Sequence, residues 1–92
     1  MADLSKKIGT ISYEFLQIMP TIYKIQMDPD RNASEKRDEC RLVAINALNQ
    51  VKSISDSTYA RKREELVRAQ TDNDIVRILE RTIENGKNYV RQ

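Results

Sequence analysis

From Leu4 to Ile25 an apolar residue recurs every three or four positions: Leu4, Ile8, Ile11, Phe15, Ile18, Ile22 and Ile25. The steps alternate between 4 and 3, and that period marks a helix packed along its length on other helices. Leu16, Met19, Tyr23 and Met27 flank this ladder, leaving Gln17, Thr21, Lys24 and Asp28 as a polar strip. So wide an apolar surface belongs to a helix in the middle of a bundle, or to one that offers surface to another chain. The pattern predicts a first helix over residues 3–27. Pro20 interrupts it chemically, because proline removes one hydrogen bond and its ring crowds the carbonyl of Leu16. The apolar phase nevertheless carries across, with Phe15 and Ile18 before it and Ile22 and Ile25 after. One kinked helix therefore fits better than two short ones.

The run Asp28-Pro29-Asp30-Arg31-Asn32 is a turn, since the residue before a proline avoids the helical region. Asn32 and Glu35 stand at capping-box spacing, which starts a second helix over residues 33–52. Cys40, Val43, Ala44, Ala47, Leu48 and Val51 share one face of it, and Leu42 and Ile45 point away. Small Ala44 and Ala47 allow a close helix approach. Ser53 to Ser57 is a connection rich in N-cap residues. The third helix then runs to residue 70, with Tyr59, Leu66 and Val67 inward and Ala60 at the edge. Thr71 and Asp74 begin a fourth helix that reaches residue 90. Ile75, Val76, Ile78, Leu79, Thr82, Ile83, Gly86, Tyr89 and Val90 line one side of it. Gly86 on that apolar face suits a close crossing. The expectation is an all-α, small four-helix bundle, a kinked N-terminal helix plus a three-helix unit, forming one domain over residues 1–92.

Composition agrees with that expectation. In 92 residues there are only two glycines and two prolines, and 33% of positions are charged. A chain of this length buries about 60–65% of its unfolded surface, so good packing or oligomerisation has to supply stability. The net charge is +2, and the excess falls after residue 60, too little for a non-specific nucleic-acid binder. There is no histidine, which removes the commonest general base and metal ligand. The single Cys40 makes neither an internal disulfide nor a zinc site and reads as a buried thiol. With scattered carboxylates and no glycine-rich phosphate loop, the expectation is no enzyme and no cofactor. No apolar run is long enough to span a membrane, and the opening residues do not read as a signal peptide, so a reducing cytoplasm is expected.

Three patterns invite a sharper reading. Asp28, Asp30, Asn32 and Glu39 fall at calcium-loop spacing, but Ala33 stands where the loop needs glycine, so no metal is expected there. Arg61, Lys62 and Arg68 form the alternative basic patch, although Arg61 faces Glu65 and Glu64 faces Arg68 at i, i+4. The third and fourth helices are arranged like a helix-turn-helix, yet Asp72-Asn73-Asp74 at the start of the second would repel phosphates.

The segment 41–84 resembles the albumin-binding GA-type three-helix modules of bacterial surface proteins. The resemblance rests on Ala44-Ile45-Asn46-Ala47-Leu48, Ile54-Ser55-Asp56, Tyr59, Ala69-Gln70-Thr71-Asp72, Ile75-Val76 and Ile83. It covers about half the chain; the middle helix is one turn longer and the first 40 residues have no counterpart. It implies a helical bundle with a binding role, and no albumin-binding residues carry over. The stretch Ile54-Ser55-Asp56-Ser57-Thr58-Tyr59 is also similar to a helix start in some bacteriocin immunity proteins, a likeness of class.

The functional expectation is non-enzymatic binding to another protein, as a regulatory or immunity-type factor or through self-association as a homodimer. Leu16, Met19, Tyr23 and Met27 are the expected partner-binding residues. The alternative is a nucleic-acid-associated accessory protein using the helix-turn-helix-like C-terminal half.

Overall fold

The computed structural model describes the backbone of residues 2–51 and 56–91, and side chains over 11–51 and 57–86. Four helices follow one another: α1 (Ala2–Met27), α2 (Ala33–Asn49), α3 (Asp56–Arg68) and α4 (Asp72–Arg91). There is no strand among the described residues, as the periodicity predicts. The principal extents are 46 × 23 × 17 Å, and α1 alone, at 1.5 Å per residue, accounts for about 39 Å of the long axis.

α1 runs unbroken through Pro20, so the persistent apolar phase was the right guide to continuity. α1 packs chiefly on α4 and then on α2, while α3 rests mainly on α2. The α1–α2 connection is a five-residue turn, which makes the two helices antiparallel neighbours. In that turn the Asp30 amide donates to Asp28 Oδ1 at 2.9 Å. The Arg31 guanidinium bridges Asp28 at 2.6 Å and Glu39 at 2.8 Å. The capping box closes as expected: the Glu35 amide donates to Asn32 Oδ1 and the Asn32 amide to Glu35 Oε1.

One contiguous core joins all four helices. Phe15 and Ile22 of α1, Leu48 of α2, Leu66 of α3, and Ile75 and Leu79 of α4 are fully buried. Each contributes about 1.5–3 kcal/mol relative to an exposed position. Ala44 and Ala47 are buried where α2 enters the core, the close approach that their size allows. The α1–α4 contact is antiparallel. Ser12 Oγ donates to the Thr82 carbonyl at 3.1 Å, and at the other end Gln26 Nε2 donates to Asp72 and Asn73. A side chain as short as serine reaches a carbonyl only where backbones come close. Gly86, buried one turn beyond Thr82, is without a Cβ on that approach.

Several expectations need correction. Ile45, expected to point away, packs against the core. Val67, expected inward, is exposed, because α3 touches the bundle along a narrow line and turns that side to solvent. α2 ends at Asn49 rather than residue 52, with the Gln50 and Val51 amides donating to Ala47 and Leu48 carbonyls. α3 ends at Arg68, two residues early. Its last carbonyls are claimed by α2: Arg41 Nε donates to Leu66 O at 3.1 Å and Arg41 Nη2 to Ala69 O. The expected connection through Ser53 and Ile54 lies outside the described residues, as do the side chains of Leu4, Ile8, Tyr89 and Val90.

Candidate interaction surface on α1

α1 buries one side and leaves an apolar strip on another. Ile11, Phe15, Met19, Ile22 and Ile25 are buried. Tyr13, Leu16, Tyr23 and Met27 are 58%, 50%, 42% and 79% exposed, with exposed Pro20 among them. The only other large apolar side chains so exposed among the described residues are Leu42 and Val67. The strip therefore belongs to one helix. At 3.6 residues per turn its five members fall within about 80° of arc.

Of the four residues expected to bind a partner, Leu16, Tyr23 and Met27 lie together on this strip. Met19 does not: it is only 5% exposed, and its placement on an exposed flank is corrected. The reason is the position of α4, which covers the Met19 side of α1 together with Ser12 and Gln26. In turn Ile18, expected to be fully engaged in the ladder, is half-buried at the margin of the core. The axis of the buried face is thus rotated towards Met19. Tyr13 was missed as a member, although its spacing of three from Leu16 and seven from Pro20 was visible in the sequence.

The strip borders α4 along a groove of about 360 Å³ lined by Leu16, Met19, Tyr23, Glu80, Ile83 and Glu84. The Tyr23 hydroxyl donates to Glu80 Oε2 at 3.2 Å. Burial and the neighbouring Glu80 carboxylate raise its pKa above the ordinary 10.0. Tyr23 is thereby held over the groove while its ring stays partly in solvent, an arrangement suited to interface contacts.

The remaining patterns are accounted for locally. Among the calcium-spaced residues, Asp28 and Glu39 are both held by Arg31 and Asn32 caps α2. No group of three potential metal ligands occurs among the described residues. Within the alternative basic patch, Arg68 pairs with Glu64 at 2.7 Å as expected. Glu65 pairs with Lys62 at 3.6 Å rather than with Arg61, because Lys62 lies on the half-buried side of α3 and Arg61 on the exposed side. At the α3–α4 joint a groove of about 350 Å³ brings Arg68, Arg77 and Arg81 beside Glu65 and Asp74, a mixed-sign surface. Asp74 caps the joint by accepting from the Gln70 amide, and its own amide donates to Thr71 Oγ1.

Cys40 is fully buried. Burial, with Asp72 and Glu39 nearby, pushes its pKa up to about 11 against the opposing pull of Arg31. A thiol in that setting stays protonated near neutral pH and is a poor nucleophile. No described helix is long and apolar enough to cross a membrane. Comparison with protein-family models, curated proteins and solved structures returns no match.

Proposed function

We propose that this chain is a non-enzymatic binding protein, a small regulatory or immunity-type factor, that docks another protein through the outer strip of α1. The observation that carries this reading is that four of the six large exposed apolar side chains among the described residues lie together on one helical strip: Tyr13, Leu16, Tyr23 and Met27, with Pro20 between them. Contiguous apolar surface rimmed by charge is characteristic of protein-binding sites. Tyrosine and methionine are enriched at the centre of such sites. A non-catalytic role is supported by the absence of histidine from the sequence and by the buried, protonated Cys40.

Nucleic-acid binding has less support. Each groove cation at the α3–α4 joint shares its surroundings with Glu65 or Asp74, and Asp72 and Asp74 occupy the first turn of α4.

The test is capture of partners from source-cell extract on immobilised wild-type protein and on folded Leu16→Asp and Met27→Asp variants. A partner held by the wild type and lost by both variants is the expected result. Capture indifferent to both substitutions would remove α1 from the site. Retention of nucleic acid that falls steeply with salt would favour the alternative.

A further inference from the structure

We infer that the groove between α3 and α4 receives an acidic helical segment of a partner protein, with two of its carboxylates, one turn apart, held by Arg77 and Arg81. This site is separate from the α1 strip and lies on the other flank of α4.

The groove encloses about 350 Å³, with half-buried Ile78 and buried Ala69 in its lining and the exposed Arg68, Arg77 and Arg81 around it. Its two carboxylates are engaged within the chain. Lys62 holds Glu65 at 3.6 Å, and Asp74 accepts from the Gln70 amide at 3.2 Å. Both acids are half-buried, whereas the three arginines are exposed. Arg68 is matched by Glu64 at 2.7 Å. The guanidinium groups of Arg77 and Arg81 make no ion pair or hydrogen bond among the described residues.

α4 sorts its outer charges by flank. Glu80 and Glu84 line the groove against α1, where Glu80 takes the Tyr23 hydroxyl. Arg77 and Arg81 line the groove against α3. Two like charges at i, i+4 repel, and no acid among the described residues pairs with either. An anion from outside the chain relieves that repulsion.

The spacing selects the anion. Arg77 and Arg81 are four residues apart, about 6 Å along the helix. Glutamates at i and i+4 of a partner helix stand at the same spacing, and a carboxylate fits the planar fork of a guanidinium. Ile78 offers an apolar contact beside them to a side chain on the same face of the partner. A nucleic-acid strand fits less well. Its phosphates continue past the two arginines towards Asp72 and Asp74 in the first turn of α4.

The probe is a capped helical peptide with glutamates at i and i+4 and a leucine on the same face, and its control carries glutamines instead. Binding to the full chain is followed at low salt by amide chemical shifts. Saturable shifts at 69 and 74–81 are expected at about millimolar peptide, with none for the glutamine control. Arg77→Gln/Arg81→Gln should bind at least about tenfold more weakly, with helicity unchanged because both side chains are exposed. Lys24→Gln/Arg63→Gln removes the same charge from exposed positions elsewhere. It should stay within about threefold of wild type, since distant surface charges are screened. Leu16→Asp should bind as the wild type does. A wild type that ignores the peptide overturns the inference, as does equal loss in the two double variants or loss in Leu16→Asp. Tighter binding of an oligonucleotide with the same dependence on Arg77 and Arg81 overturns it in favour of nucleic acid.

Discussion

Arg41 of α2 donates from Nε to the Leu66 carbonyl of α3 at 3.1 Å. With the second bond to the Ala69 carbonyl, one guanidinium serves the C-terminal end of a helix that has no capping glycine. A cation there also suits the partial negative charge of a helix C-terminus. α3 touches the rest of the bundle along a narrow line, so this clamp matters more to it than a core contact would to α1.

Replacing Arg41 by Met keeps the apolar stem and removes the donors. Arg41→Met should cost about 1.5–3 kcal/mol, the scale of hydrogen bonds to a charged group. Amide exchange should accelerate over 64–69 more than over α1. Uniform acceleration across all four helices would mean that α3 does not open independently.

Met19 and Leu16 are three residues apart on α1, one buried and one half-exposed. Met19→Ala should destabilise the fold by about 2–5 kcal/mol, and Met19→Lys should unfold it. Leu16→Lys should leave the melting temperature nearly unchanged. Thermal melts by circular dichroism compare the two directly, and equal losses would show that Leu16 is also core.

Pro20 sits inside an unbroken helix and cannot donate to the Leu16 carbonyl. Its ring is exposed, so little packing offsets that loss. Pro20→Ala should therefore raise stability by about 1–3 kcal/mol, within the roughly 3 kcal/mol penalty of proline in a helix interior. Urea denaturation of dilute protein measures this. A fall in stability would assign the proline ring a contact in the folded chain.

Cys40 titrates near 9.0 when unfolded and at about 11 in the fold. Above 9.0 the unfolded chain releases this proton first, so stability is full below that value and declines as pH rises towards 11. The loss should reach about 2–3 kcal/mol. Tyr23, also raised, acts in the same direction. Comparing the slope of stability against pH in wild type and Cys40→Ala isolates the thiol. Equal slopes would place the alkaline sensitivity elsewhere. In native buffer the thiol should react with a disulfide reagent only after urea is added.

The exposed Arg68–Glu64 pair is a different case from Arg41. Both side chains are largely in solvent, so Arg68→Ala should change stability by no more than about 0.5 kcal/mol. A larger loss in equilibrium denaturation would mean that Arg68 holds the α3–α4 joint.

The four helices, the Asn32–Glu35 capping box and the burial of Phe15, Ile22, Leu48, Leu66 and Leu79 were legible in the sequence. Each depends on residues within a few positions of one another, where 3.6-residue geometry relates sequence directly to space. The rotation of the buried face of α1 was not legible. Ile18 of the ladder and Met19 of its flank are adjacent in sequence, so the pattern alone favours the wrong one. The side that is sealed depends on where α4 crosses, and the Ser12–Thr82 and Gln26–Asp72 contacts join residues far apart in the chain. The clamp of Arg41 on α3 and the exposure of Val67 follow from the same distant packing. Local periodicity determined which residues form helices and which faces are apolar. Only the tertiary arrangement decided that Met19 belongs to the core and that Tyr13, Leu16, Pro20, Tyr23 and Met27 form the strip left outside it.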